Sequence, residues 1–588
     1  MTAGVRSRIR EWCSFRNLFL LIFLLGIFLR FFALDLKLLH HDEAIHAWFS
    51  YRLMTEGVYA YDPMYHGPFL YYVTAGMFTL LGDTDLVARI LPALFGVAII
   101  PLIYWIHRMG YLDERQTLIA SLFIAISPSM IYFSRFLRHD IFQLFFTVLI
   151  LAAILAYAEH GKLRYALLAG LAIGGGMTLK EDMPIFLIIL ATFAIYLLLT
   201  KKIRLPETWL RDTIAVVMVA LAVMVIFYSS FGAHFEIIET GWIKAYEHWA
   251  SMHGMCRICG PWFFYILLFL LYEVPIFLLA VYGTAQFAVR HNPLPGIAAF
   301  FKRIFPRKKE PAGSEECPDL SIRKYSVRQA VPWDKKEIFF LFCIYWMLVS
   351  LAAYAYIGEK VPWLIIHQLF PMILVSVYLM TEKKMLIALA GCIFLIIMAW
   401  HVALVPADIN EPIVQVQNSE DMRTVMQLID ASDIVVIASE NYWPLPWYYR
   451  GEKWDKMRFY GKLVDSGTVY SVNPDMVITH DMSSYPSLEG YDKVSYKLSY
   501  WFSIYDNEHR IPEYYFRRDG KLGSINIEVF TKPGLYEKAN LTFPEVRESI
   551  PTLVEEPGVE KRQRWDQKLV NITVRMFAPE HSAGNTTG

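Results

Sequence analysis

Residues 38–52 read LLHHDEAIHAWFSYR and follow directly on a long apolar run, so His40, His41, Asp42 and Glu43 stand together where a chain leaves a membrane, with His46 one helical turn further on. A carboxylate at a bilayer edge is costly to desolvate, and such residues generally bind or transform something. Three further clusters have the same character. SRFLRHD carries Arg135, Arg138, His139 and Asp140; LKEDMP carries Lys180, Glu181 and Asp182; YIGEKVPWLIIH carries Glu359, Lys360 and His367. Each alone has a plain structural explanation. Tandem acids can end a helix or hold a surface cation, and Arg138 with Asp140 can be a simple ion pair. Lys180 can snorkel while Glu181 and Asp182 cap the next helix, and Glu359 with Lys360 can be a loop pair. Taken together they suit a phosphate on a lipid tail: arginine and lysine hold the phosphate, and a carboxylate takes a proton from a hydroxyl.

The elements that must position these clusters are membrane helices. The chain has 588 residues, 56% of them hydrophobic, and a mean hydropathy of +0.36, which excludes an ordinary soluble protein. Lysine plus arginine and aspartate plus glutamate both total 55, so net charge gives no reason to expect a nucleic-acid partner. Apolar runs near 17–34, 86–106, 117–133, 141–158, 163–179, 183–199, 212–230, 261–281, 338–355, 362–380 and 385–403 predict eleven spans. The basic N-terminus lacks a small-residue cleavage site before Asp35, so the first run is read as a retained helix with its N-terminus in the cytoplasm. Alternate connections then carry Arg6, Arg8 and Arg10; Arg108 and Arg115; Lys162 and Arg164; Lys201, Lys202 and Arg211; a long basic loop at 289–337; and Lys383 and Lys384. That is the positive-inside pattern.

All four polar clusters then fall on the outer face. So do nine of the sixteen histidines, His66 among them. GPFLYYVTAGMFTLLG at 67–82 is apolar enough to span, but crossing would invert every later basic loop. It is therefore expected to lie in the interface, within a first outer loop at 35–86 that also holds a helix over EAIHAWFSYRLM. Residues 1–404 are thus expected to form the transmembrane domain. Past 404, short β-rich runs such as DIVVIAS and DMVITHD predict an extracytoplasmic α/β domain over 405–588, with sequons at Asn540, Asn571 and Asn585. Of the six cysteines only Cys256 and Cys259 are spaced as a pair, which leaves a local disulfide, a metal site with His253 or two free thiols open.

HHDEAIHAW, the two interfacial helices of the first outer loop, and SRFLRHD in the second resemble the GT-C superfamily of membrane glycosyltransferases, which includes protein O-mannosyltransferases, lipid A aminoarabinose transferases and oligosaccharyltransferases. With YHGPFLYY, GEKVPWLIIH and ENYWPLPWYYRG they look like the archaeal flippase-activity-associated branch. The resemblance implies inverting transfer of a sugar from a polyprenyl (dolichyl) phosphate to a glycan, lipid or protein acceptor outside the cell. It implies Asp42 as general base, with Glu43 assisting or binding a metal, and Arg138, His139 and Asp140 shaping the donor-phosphate or metal site. Lys180 and Lys360 are its candidate phosphate cations. His41, His46, His66, Glu181, Asp182, Glu359 and His367 complete the expected pocket. A divalent metal, Mg or Mn, is left open, with His41, Asp42, His46 and Asp140 as candidate ligands. Trp443, Trp447 and Arg450 of NYWPLPWYYR either stack on acceptor glycan or pack the outer domain onto the membrane. The competing classes are a lipid-linked sugar translocator and a non-catalytic partner in a glycosylation pathway. A translocator would need polar groups at the midplane and a pseudo-symmetric repeat, and neither is visible in the sequence.

Overall fold

The computed structural model describes residues 14–544 apart from 58, 204, 256–259, 292–333, 359, 406–410 and 519. Glu359, the Cys256/Cys259 pair, the His253 side chain, the sequons at Asn571 and Asn585 and most of the basic 289–337 loop lie outside the described residues.

Sixteen helices of the N-terminal part are numbered here: α1 Phe15–Phe31, α2 His41–Glu56, α3 Phe69–Leu81, α4 Asp85–Arg108, α5 Glu114–Ile126, α6 Pro128–Ser134, α7 His139–His160, α8 Leu163–Met177, α9 Met183–Leu199, α10 Trp209–Tyr228, α11 Glu236–Met255, α12 Phe264–Tyr272, α13 Val274–His291, α14 Lys335–Tyr356, α15 Ile365–Ser376 and α16 Glu382–Ala399. All eleven apolar runs are helical. Five helices are long and apolar enough to cross a membrane, and seven spans result if the bent pairs α5/α6 (56°) and α12/α13 (113°) each count as one. The chain is therefore a polytopic helical membrane protein with five to seven candidate spans. The sequence count of eleven exceeds seven because the runs at 17–34, 163–179, 183–199 and 362–380 form helices of 17, 15, 17 and 12 residues, and exceeds five because those at 117–133 and 261–281 are each bent at a break. At 13 residues, α3 extends about 20 Å.

Packing explains the bends. Pro128 has no N–H to offer the carbonyl of Ile124, so α5 stops there. The buried Arg30 of α1 fills that carbonyl (2.9 Å) and also donates to Ala125 O (3.2 Å) and Ser134 Oγ (3.1 Å). From the other break, Glu273 accepts from the Ser127 hydroxyl (2.8 Å) and the Ser129 amide (2.9 Å), tying the two bent pairs together. On α8, Gly170 and Gly174 lie against Val216 and Ala220 of α10. A Cβ there would stand 2.7 Å from Val216 O and 2.9 Å from Ala220 O, the close backbone approach that small residues four apart permit.

The C-terminal domain is built on a six-stranded mixed sheet ordered β1-β5-β6-β4-β2-β3, with β1 Gln415–Asn418, β2 Val435–Ala438, β3 Met457–Phe459, β4 Met476–His480, β5 Asp492–Phe502 and β6 Leu522–Thr531. Both faces of β2 are covered: Val435 and Ile437 pack under the helix Asp421–Ala431, and Val436 and Ala438 under Val469 and Tyr485. This is why the run is apolar throughout rather than alternating. The sheet domain docks directly on the helices. Trp447 Nε1 and the Tyr448 hydroxyl both donate to Asp85 at the start of α4 (2.7 Å each), and Arg450 donates to Asp83 (2.5 Å). Trp447 is buried and stacked on Phe78.

Candidate active site

Six segments of the chain converge on a cavity of about 530 Å³. Helix α2 supplies the first wall. His40 caps it: its Nδ1 accepts from the Asp42 amide (3.1 Å), while Glu43 accepts from the His40 amide (2.9 Å). This reciprocal arrangement fixes Asp42 in the first turn, at the positive end of the helix. Asp42 turns into the cavity, 27% exposed, and accepts from Arg138 Nη1. Burial pushes its carboxyl up, but Arg138 and the neighbouring histidines outweigh that and hold it well below the usual carboxylate range, so it is ionised at neutral pH.

Glu43 turns the other way. It is buried in a two-point ion pair with Arg89 of α4 (2.6 and 2.8 Å) and also accepts from the Leu137 amide (2.8 Å). Adjacent residues on a helix face about 100° apart, which separates the Asp–Glu pair into one cavity group and one anchor. Arg89 was not among the expected site residues. Its signal was available, since it is a lone arginine in an otherwise apolar run.

The second wall is the start of α7. Arg138 donates to Asp140 through Nε (3.2 Å), lies 3.6 Å from the Trp363 ring centroid, and bridges Asp42 to Asp140. Lys180 donates to the other Asp140 oxygen (2.7 Å). The 178–182 turn is held by backbone pairing with the first outer loop, from the Gly67 amide to Leu179 O (2.8 Å) and the Phe69 amide to Thr178 O (3.0 Å). Only glycine fits at 67, since a Cβ would sit 2.2 Å from Thr178 O. His66 follows from this pairing: it bonds Glu181 (2.8 Å), which also accepts from Tyr61 (3.1 Å), and it stacks on Trp249 of α11 at 5.1 Å.

His41, Asp42, His46, His66, Arg138, Lys180, Glu181 and Asp182 all line the cavity. The Tyr71 hydroxyl donates to Tyr65 O (2.7 Å), so His46 Nδ1 carries its own proton and donates to Tyr71 (2.8 Å). Burial lowers His46 to about 3, and it is neutral. Asp140 and His367 stand just behind the lining, and His139 lies beneath, its Nε2 on Gly67 O at 3.1 Å. Lys360 is placed elsewhere: its ammonium donates to the carbonyls of Tyr354 (2.9 Å), Ala355 (2.8 Å) and Ile357 at the end of α14.

Among the described residues, Asp140, Asp182 and His367 form the group able to hold a metal, their ligand atoms all within 4.8 Å of one another. His367 Nε2 is 3.6 Å from Asp140 and 3.8 Å from Asp182, buried and without a hydrogen bond, which fits a cation between them. Of the four ligands expected from the sequence, this group contains Asp140 alone. Tyr354 and Gln143 orient Asp182 (3.2 and 3.3 Å). Neither was expected, and both come from within apolar runs. The remaining wall is apolar, from Ile185, Ile357, Val361, Trp363 and Leu364.

Residues 65–229 match the family described as dolichyl-phosphate-mannose-protein mannosyltransferase. No curated protein matches the chain. ArnT from Cupriavidus metallidurans bound to undecaprenyl phosphate is similar in structure, with a TM-score of 0.52 and 13% identity over 90% of this chain and 99% of ArnT. The archaeal oligosaccharyltransferase AglB from Archaeoglobus fulgidus, in complex with an inhibitory peptide and a dolichol-phosphate, gives 0.50 and 12% over 80% of this chain and 70% of AglB. A chain of the S. cerevisiae Pmt1-Pmt2 protein O-mannosyltransferase complex bound to the sugar donor gives 0.32 and 19% over 38% of this chain, which spans about a third (34%) of that relative. The chain thus shares its fold with ArnT and AglB.

Proposed function

We propose that this chain is a membrane glycosyltransferase that moves a sugar from a polyprenyl-phosphate donor of the dolichyl type to an acceptor at the outer face of the membrane, with inversion and with Asp42 as general base. The observation that carries the reading is one continuous constellation. An ionised carboxylate, Asp42, is joined through Arg138 and Asp140 to a second cation, Lys180, beside an apolar wall. The match to the mannosyltransferase family over 65–229 and the polyprenyl phosphates named for the similar structures support the same chemistry. The order of HHDEAIHAW, SRFLRHD and GEKVPWLIIH favours the archaeal flippase-activity-associated branch within it. Eleven crossings, with the N-terminus in the cytoplasm and the sheet domain outside, are the topology that goes with this reading.

In this mechanism Arg138 and Lys180 bind the donor phosphate and the apolar wall takes the first units of the prenyl chain. The acceptor hydroxyl attacks the anomeric carbon from the face opposite the phosphate. Its proton passes to Asp42, the bond from carbon to phosphate oxygen breaks, and polyprenyl phosphate leaves as the anion that the two cations hold. Arg138 has a second effect. While it pairs with Asp42 it suppresses that group's basicity, and a phosphate that draws the guanidinium toward itself restores it. Asp140, Asp182 and His367 would hold a divalent Mg or Mn ion, which when bound would supply positive charge beside the phosphate.

The test is sugar transfer by the purified protein from a radiolabelled panel of polyprenyl-phosphate sugars, wild type beside a folded Asp42→Asn. Transfer lost in the variant, by about 10²–10⁴-fold, supports the reading. Transfer that survives removes Asp42 as base. Tight lipid binding with no transfer from any donor turns the reading toward a translocator or partner.

A further inference from the structure

The YWPLPWYYR motif divides between two roles. Trp447, Tyr448 and Arg450 are engaged by Asp83 and Asp85 and hold the outer domain in place. Tyr442 and Trp443 are not part of that joint. Both are half-buried at the surface, and Trp443 meets Trp48 of α2 edge-on at 5.9 Å. Tyr442 stacks on Trp443 at 5.9 Å and contacts Phe459, which is 43% exposed, at 4.5 Å. On the other side, Trp48 touches Phe49 (5.2 Å) and Phe49 touches Tyr65 (4.7 Å), which lines the cavity. Ring contacts thus run unbroken from the cavity to the edge of the sheet.

A continuous row of partly exposed aromatic rings is a surface suited to binding. Aromatic faces carry the negative part of the ring quadrupole, and their complement is the C–H face of a sugar ring, polarised by its oxygens. Beside the strip, Arg52 lies 5.0 Å from the Trp48 ring centroid and pairs with Glu56 (2.6 Å), giving exposed charged groups that can bond hydroxyls. We infer that this strip is the acceptor subsite and that the acceptor is a glycan, its sugar rings lying along Phe459, Trp443 and Trp48 while its terminal hydroxyl enters the cavity past Tyr65. A peptide acceptor is less well served. The sheet edge here is β3, only three residues long, too short to template an added strand. The inference rests on the transferase reading above for the direction of the acceptor, and on the ring geometry for its chemistry.

The experiment is binding without donor. The full chain in lipid nanodiscs is titrated with soluble tri- to pentasaccharides containing mannose, glucose or N-acetylhexosamine, read by saturation-transfer NMR and tryptophan fluorescence, with short peptides as the contrast. The expected result is binding of at least one saccharide, weakened about tenfold by Trp443→Ala and similarly by Phe459→Ala on the exposed edge, and restored by Trp443→Phe. Peptide binding alone, no saccharide binding, or saccharide binding indifferent to both alanine variants would overturn it. Donor turnover is measured separately. Turnover without saccharide binding sinks the strip alone, whereas saccharide binding without turnover from any donor sinks the transferase reading and leaves a glycan-binding strip.

Discussion

Arg138 donates to Asp42, 96 residues before it in the chain, and a different nitrogen of the same guanidinium bonds Asp140. One planar cation therefore sets the position of the candidate base and of a carboxylate in the candidate metal group, and it lies on Trp363 while doing so. Lysine offers one point charge and no planar face for that stacking. Arg138→Lys is expected to keep the fold and lose about 10–100-fold in transfer, with a weaker apparent donor affinity. A variant as active as wild type would show that the fork geometry is dispensable.

Glu43 and Arg89 predict a different outcome, because both are buried and neither lines the cavity. Removing one charge strands the other, at a cost of roughly 3–5 kcal/mol. Glu43→Ala and Arg89→Ala should each lower the melting temperature sharply in detergent, and Glu43→Gln with Arg89→Gln should recover part of the loss. A stable, inactive Glu43→Gln would instead return Glu43 to the chemistry.

A metal in the Asp140, Asp182 and His367 group predicts that chelation lowers transfer and that Mn or Mg restores it. It also predicts that manganese gives a paramagnetic signal in wild type that is lost in His367→Ala. The second readout is independent of turnover. Full activity in chelator together with no manganese signal would leave these residues as a hydrogen-bonded brace.

Stability should fall on mild acidification. Burial lowers His40 to about 4, outweighing the pull of Asp42 and Glu43, while in the unfolded chain it sits near the usual value of about 6.5. The folded state thus binds fewer protons, and this contribution is complete above pH ~6.5 and is lost progressively as pH falls toward 4. His40→Asn keeps an acceptor for the helix cap. It should melt lower at pH 7.5 but lose less between pH 7.5 and 5 than wild type. Parallel losses in both proteins would place the sensitivity elsewhere, with the similarly lowered His46 the next group to vary.

The sequence by itself determined the class of protein and which polar residues stand out in it. Apolar length made the helices, and the cost of polar groups at a membrane edge marked Asp42, Arg138, Asp140, Lys180 and His367, which the fold then gathers from four separate segments. It also marked 67–82 as a helix, and the fold has one there, Phe69–Leu81. Tertiary structure decided what spacing along a chain does not encode. Glu43 and Asp42 are neighbours in sequence, yet the helical twist sends one to Arg89 and the other to Arg138. Lys360 carries the charge expected of a phosphate ligand, but the nearest groups in need of donors are the open carbonyls at the end of α14. The span count depends on breaks at Pro128 and Glu273 that are stable only because Arg30, Ser127 and Ser129 satisfy the groups exposed there. The aromatic motif at 442–450 is divided by where Asp83 and Asp85 stand. Long-range partners of this kind are set by packing, because a buried polar group takes its meaning from whatever the fold brings within about 3 Å of it.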